Sequence, residues 1–433
     1  MPFYYLIPPL LLLAYLTYRH TSWGIYGILA TIQGYLIRTE IWIIPTTWLE
    51  LAIYTIALVS LIKHLREETL ETHWYYALHL VRPYIIPVIV LIVSMLISII
   101  ISDNQLAALG IFKAWLVDPL LFCLIFLDAI KPEQKRQIMF FLTVSTWPIM
   151  LYGFWEYVKN TDQIIPGRLD SFFNSPNFVA MYLVPLVVLI LGFLILSRRH
   201  RHSPADQITG FGKLQTIYYF CWLGVALLTL LLTKSFGGWL ALALGLAFLF
   251  LFIPKFNLKK MLTASIVLII SLTLGWFVYQ KSISHYDSFW RTNSWQTRQA
   301  IWINSLKLLV RDPILGVGLA DFQPAYQNFV TQLPKNQQPA ESSVPEPHNL
   351  YLAWWLQTGL LGLVAFFWLI LIFYLKNLDN YFKKSLVLTI PALAALFAIL
   401  AHGLVDTPYF KNDLSLLFWI LLIFNLPQTQ NSK

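Results

Sequence analysis

The stretch PEPHNLYLAWWLQTGLLGLVAF, residues 345–366, begins with two prolines, a glutamate and a histidine, then turns almost wholly apolar. A helix crosses a bilayer with about 20 predominantly apolar residues, and here the apolar run extends from Leu350 to Leu375. The stretch therefore reads as a boundary between water and membrane, with a titratable imidazole standing on it. The rest of the chain agrees. Of 433 residues, 58% are hydrophobic and only 12% charged, and the mean hydropathy is +0.64. A soluble domain carries about 25% charged residues, so the expectation is an all-α, multi-pass membrane protein.

Other bounds follow from the same composition. The 17 tryptophans and 22 tyrosines suit rings that anchor at two membrane interfaces. The net charge of +9 does not point to a nucleic-acid partner, because Lys and Arg gather on the cytoplasmic side of membrane proteins. Cys123 and Cys221 both lie in apolar runs, which suggests neither a disulfide nor a metal site. The opening MPFYYLIPPLLLLAYLTYRH has no basic start and no small-residue cleavage site, so no removable leader is expected.

Candidate spans fall near 3–18, 22–38, 41–62, 83–101, 106–129, 138–158, 177–196, 216–233, 236–253, 261–279, 350–375, 386–405 and 409–426. That is twelve or thirteen transmembrane helices, the first two being short. The connecting segments 63–82, 131–136, 197–215, 254–260 and 376–384 carry sixteen Lys and Arg, against four in 102–105, 159–176, 234–235 and 406–413. The first set is therefore cytoplasmic and the second external. The chain divides into transmembrane helices over 1–279, a large external loop over 280–348, and C-terminal transmembrane helices over 349–433. Within the loop, NSWQTRQAIWINSLKLLVRDP places Trp295, Ile301, Trp302, Leu306 and Leu309 at helical spacing before Pro313, which predicts an amphipathic helix. Gly316 and Gly318 form a tight turn after it, and the proline-rich 331–347 reads as a polar linker.

Several external polar residues are expensive near a membrane and ask for a purpose. IPGRLDSFFNSPNFVAMYL carries Arg168, Asp170, Asn174 and Asn177 at the mouth of a span; a helix cap and a snorkelling arginine are the plain alternative. LLLTKSFGGWLALALG puts Lys234 between two spans, either as an interfacial lysine or as an anion ligand. Arg291 and Arg298 stand on or before the loop helix, where lipid phosphates compete with a substrate as partners. His348 is stiffened by the prolines around it, and Asn349 beside it suits a hydrogen bond to a ligand or to the ring. His402 and Asp406, four apart, are expected to pair and hold two helices together.

Arginines and a lysine on the outer face suit a phosphate or pyrophosphate. No paired-carboxylate motif is present to hold a divalent metal there, so the side chains would neutralise the charge themselves. A histidine beside them is placed to take a proton from an attacking hydroxyl. Together these groups fit group transfer from a lipid-linked diphosphate, with no cofactor.

GRLDSFFNSPNFVAMYL, TKSFGGWLALALG, RQAIWINSLKLLVRDPILGVGLADF, PHNLYLAWWLQTGLLGL and HGLVDTPYFKNDLSLLFW, in that order over residues 167 to 419, resemble the O-antigen ligase family. That family includes lipopolysaccharide O-antigen ligases and related bacterial polysaccharide polymerases. The resemblance implies a GT-C-type enzyme of the bacterial cytoplasmic (inner) membrane, with its active site on the external or periplasmic face. It would be a metal-independent, inverting glycosyltransferase that moves a glycan from undecaprenyl diphosphate to an acceptor hydroxyl on a lipid or glycan. Its other partners would be membrane lipids. The family's essential residues fall on Arg168, Arg298 and His348. Two positions depart from the common pattern: Phe236 replaces an arginine, leaving Lys234 as the nearby cation, and Gln357 replaces a glutamate.

Two rival readings stay open from the sequence. One is a polymerase that joins lipid-linked repeat units. The other is a transporter of a lipid-linked glycan or an anion, for which Lys113 and Asp118, five apart in one span, are the pointer.

Overall fold

The structure is a computed structural model that describes residues 2–42, 44–159, 163–165, 167–199, 212–252, 293–335, 338–339, 341–384 and 389–426. The expected span at 261–279, the segment 254–260 and Arg291 lie outside the described residues. The fold is all-α and multi-pass, as the composition requires. Seven helical stretches are long and apolar enough to cross a membrane: Trp48–Arg66, Ala77–Ile101, Gln105–Ala129, Lys135–Lys159, Pro176–Ser197, Lys213–Thr233 and Leu350–Phe382. Phe236–Phe252, Thr389–His402 and Asn412–Ile423 are apolar helices of 10–17 residues.

The N-terminal region corrects the sequence reading. Instead of two spans, α1 (Ile7–Arg19) and α2 (Thr21–Ala30) form a short helical pair. The expected span 22–38 ends early, and β1 (Arg38–Ile41) pairs antiparallel with β2 (Ile44–Thr47). The helix α3 (Trp48–Arg66) thus starts seven residues later than the expected 41–62. Its first turn is fixed by Thr47, whose hydroxyl accepts a bond from the Glu50 amide, and its last turn carries Lys63, His64 and Arg66.

Next come α4 (Leu70–Ile101), α5 (Gln105–Phe112) and α6 (Asp118–Ala129), the last two joined by a single π turn at Lys113–Val117. A π turn leaves a carbonyl without its usual partner, and the Trp115 carbonyl accepts a 2.6 Å bond from the Tyr409 hydroxyl. The two charges that suggested transport are occupied here. Lys113 pairs with Glu50 at 2.6 Å, and Asp118 accepts a 2.6 Å bond from Tyr54, so both tie this helix to α3.

The helices α7 (Lys135–Val144), α8 (Trp147–Lys159), α9 (Pro176–Arg199), α10 (Lys213–Thr233) and α11 (Phe236–Phe252) follow. The centre of the bundle is α9, with 89% of its span buried against 33% for α4. It packs on α11 and on α15 (Thr389–His402) through small residues. A Cβ on Gly238 would stand 2.6 Å from the Ala180 Cβ, and one on Gly245 would stand 2.8 Å from the Ala398 Cβ. Inside a bilayer, such close backbone approach supplies the packing that the hydrophobic effect cannot.

The segment between α11 and the next long helix is folded over its described residues. The expected helix is α12 (Asn293–Leu309), followed by α13 (Phe322–Thr331), which the hydropathy pattern did not announce. The buried face of α12 is Ile301, Ser305, Leu308 and Leu309, while Trp295 and Leu306 from the expected apolar face are exposed. Asp321 anchors the loop to the outer end of α4, accepting bonds from the Ser102 hydroxyl at 2.6 Å and the Asp103 amide at 2.8 Å.

The longest helix, α14 (Leu350–Lys384), is broken at Gly359, where φ is 69° and ψ is −177°. The break is filled from the loop. The Val317 amide donates to the Leu356 carbonyl at 2.7 Å, and the Leu360 amide donates to the Ile314 carbonyl at 2.9 Å. Both sides of this contact need glycine. A Cβ on Gly316 would lie 2.3 Å from the Leu356 oxygen, and a Cβ on Gly359 would lie 2.3 Å from the Ile314 oxygen. Finally, α16 (Asn412–Ile423) is buried from Asp413 to its end.

Candidate functional site

The N-terminal ends of α9, α12 and α14 and the C-terminal end of α15 meet at one carboxylate, that of Asp406, in the turn after α15. Its side chain is 4% exposed. Oδ1 accepts from His348 Nδ1 at 3.1 Å and from the Thr407 amide at 3.3 Å. Oδ2 accepts from Asn177 Nδ2 at 2.8 Å and faces Arg298 Nη2 at 3.5 Å. Asn177 Oδ1 in turn accepts from Arg168 Nη2 at 3.3 Å, and Arg168 Nε donates to the Thr233 carbonyl at 2.8 Å. Residues from positions 168 to 406 thus share one hydrogen-bonded chain.

Local structure explains why each side chain arrives there. Arg298 is four residues before Trp302, on the same face of α12, and the Trp302 indole donates to the His348 carbonyl at 3.1 Å. That bond joins the loop helix to the backbone of the histidine. His348 itself has a positive φ of 47°, unusual for a non-glycine residue. Asn349 corrects a sequence expectation. Its Oδ1 accepts from the Tyr351 and Leu352 amides and its Nδ2 donates to the Leu404 carbonyl, so its main role is to cap α14, with one amide hydrogen left over. Asn177, by contrast, is no helix cap: Ser175 Oγ accepts from the Asn177 amide at 3.3 Å, and the Asn177 side chain bridges Arg168 and Asp406.

Lys234 has a φ of 49° between α10 and α11, and its Nζ lies 3.8 Å from where a Cβ on Gly167 would stand. Burial lowers its pKa, and the charge of Arg168 lowers it further. Phe236, in place of the family's arginine, starts α11 and is tilted against Trp239 with ring centroids 5.4 Å apart. Gln357 is buried, and its carbonyl accepts a bond from Ser98.

The expected pair of His402 and Asp406 does not form. His402 Nε2 is buried without a partner among the described residues, beside Gly237, while Asp406 turns toward His348. The reason is backbone geometry. The helix ends at His402, so Asp406 lies in the turn beyond it, where the i, i+4 rule for side chains no longer applies.

The titration behaviour follows from this packing. Burial would raise the Asp406 carboxyl, but the hydrogen bond and charge of His348, with the charges of Arg298 and His402, hold it at about 2. Burial pushes the His348 imidazole down, yet the hydrogen bond and charge of Asp406 outweigh both burial and Arg298, so its pKa is raised. Burial and the neighbouring Asp406 push Glu346 up to about 8, with His348 and Lys411 opposing. Glu346 is thus mainly protonated at neutral pH; it contacts the Thr407 hydroxyl.

Chemically, a carboxylate only accepts, so His348 Nδ1 carries the proton and Nε2 is left as the basic nitrogen. Arg298 Nε has no partner among the described residues. Arg298 faces the Asp406 carboxylate directly, Arg168 is joined to it through Asn177, and Lys234 lies beside Arg168, so the cations outnumber this one carboxylate and the cluster suits an anion. The structure brings Arg168, Asn177, Arg298 and His348 together, sets Lys234 beside them and assigns Asn349 to a cap. Sequence reasoning missed Asp406 as their hub and Glu346 as its protonated neighbour. The available signal was a carboxylate in an otherwise apolar external turn, a group that is costly unless paired.

Residues 221–367 match the family model described as O-antigen ligase. This region contains Lys234, Arg298 and His348, while Arg168, Asn177 and Asp406 flank it. An uncharacterized protein of Haemophilus influenzae is 28% identical over 185 residues, which cover 38% of this chain and 45% of that protein. The match therefore spans less than half the length of the curated relative. Over residues 221–367 the chain thus matches the O-antigen ligase family, and three of the five ordered stretches lie within that region.

Proposed function

We propose that the chain is a GT-C-type glycosyltransferase that moves a glycan from an undecaprenyl-diphosphate carrier to an acceptor hydroxyl, as an O-antigen ligase does, at the external face of a bacterial cytoplasmic membrane. The observation that carries this reading is the buried carboxylate of Asp406, which holds His348, Asn177 and Arg298 in one cluster where the helix ends meet.

In this scheme the acceptor oxygen attacks the anomeric carbon as its proton passes to His348 Nε2. The bond from that carbon to the diphosphate breaks on the opposite face, which inverts the anomeric configuration. Negative charge grows on the departing diphosphate, where Arg168, Arg298 and Lys234 stabilise it. Such preorganised charge is usually the largest catalytic contribution. Asp406 fixes the tautomer and direction of the imidazole and stabilises the imidazolium once formed. The same machinery serves a ligase, whose acceptor is a finished lipid or glycan, and a polymerase, whose acceptor is another lipid-linked repeat.

The test uses purified protein, a lipid-diphosphate donor and His348→Ala. Transfer should fall about 10²–10⁴-fold with little change in donor binding. Full activity in the variant would overturn the assignment of the base.

A further inference from the structure

We propose that a second cleft, on the outer loop and apart from the Asp406 cluster, binds the sugar chain of the glycan several units away from the reacting end; this rests on the glycan-transfer reading above. The cleft has a volume of about 520 Å³ and lies between the end of α12, the turn after α4 and α13. Its polar lining comes from Asp103, Arg311, Asp312, Asn328 and Gln332. All five border the opening, so two carboxylates, a guanidinium and two amides are among the groups that line it. The Arg311 guanidinium lies over the Phe329 ring at 4.7 Å, which adds an apolar wall.

Charge decides the ligand class. Two carboxylates against one guanidinium give this cleft a net negative charge, the reverse of the Asp406 cluster. A diphosphate or an anionic lipid headgroup would be repelled. A polyhydroxyl chain is suited: its hydroxyls donate to carboxylates and pair with amides, and its C–H faces pack on Phe329 and its apolar neighbours. Position decides which part of the substrate. Leu308, which lines the cleft, follows Arg298 by ten residues on the same helix, about 15 Å along its axis. A ligand that touches both places is a chain of sugars rather than one. The floor is also set in advance, because Asp321 pins the loop to Ser102 and Asp103.

The test uses the full chain in nanodiscs with the double variant Asn328→Ala/Gln332→Ala, both exposed positions. Two donors are compared, one with a single repeat unit and one with a long chain, both isolated from the source bacterium. Loss of two hydrogen bonds should raise KM for the long donor roughly 5–30-fold and leave the short donor unchanged. An equal effect on both donors, or on neither, would overturn the proposal. Should wild type transfer neither donor, the transfer reading fails and binding of the long glycan, released from its carrier, decides about the cleft. Binding by wild type that the double variant weakens tenfold sustains it; no binding by wild type ends it. A variant that loses association with phosphatidylglycerol but keeps the glycan would make the cleft a headgroup site and also overturn the proposal.

Discussion

Asp406→Asn is the sharpest perturbation of the cluster, because it removes the charge and keeps the size. The native carboxylate accepts from Asn177, His348 and the Thr407 amide and faces Arg298. Its pKa of about 2, against an ordinary 3.8, marks close to two units of preference for the charged form in the folded state. At 1.36 kcal/mol per unit, this is about 2–3 kcal/mol of stability. Because the folded pKa is depressed, the contribution is present above the unfolded carboxyl range and is lost as pH falls toward 2. The Asn variant should therefore unfold earlier than wild type at pH 7, and the gap should close in strong acid. The same change removes the group that raises His348, so the acid limb of the rate profile should move to lower pH. Transfer at its optimum should fall on the order of 10²–10⁴-fold as the ring loses its orienting partner. The assay is a pH series of transfer by purified protein, with thermal unfolding followed in the same detergent. An acid limb that stays in place in a folded variant would refute the coupling of Asp406 to His348.

Glu346 is protonated in the folded protein up to about pH 8, so its contribution is present below the ordinary carboxyl range and is lost as pH rises through that value. Glu346→Gln should keep the Thr407 contact and remove an alkaline loss of stability near pH 8, read as thermal midpoint against pH. Arg298→Lys should cost roughly 2–4 kcal/mol of transition-state stabilisation, because an ammonium does not reproduce the guanidinium's fork; near-normal turnover would return Arg298 to a lipid contact. Gly359→Ala puts a Cβ 2.3 Å from the Ile314 oxygen at a φ of 69°, so the loop should detach from α14. Protease susceptibility of the loop should rise, and a wild-type digestion pattern would count against that docking.

Much of this architecture was legible in the residues. Long apolar runs such as 177–196 and 216–233 have only one reading in a bilayer, and they appear as helices with bounds within a few residues of those expected. The failures have local causes. Residues 38–47 are apolar enough to pass as part of a span, but hydropathy does not separate a short strand from a helix, and Pro45 with its paired threonines gives a hairpin. The sequence also drew Arg168, Arg298 and His348 to one side of the membrane by counting charges. It did not reveal Asp406, because spacing tied that residue to His402 and only the chain's turn beyond α15 breaks the tie. The burial that makes Glu346 a protonated neighbour depends on contacts from distant segments, which no local pattern records.

The break in α14 has a mechanical consequence. Clamped to residues 314–317, the segment before Gly359 is tied to the region that carries α12 and α13, while the remainder of the helix runs on as a span. Membranes of different thickness are met by helices that tilt. A straight helix would pass that tilt to His348, just beyond its outer end. A break at Gly359 instead gives the helix a place to bend before such a tilt reaches the histidine.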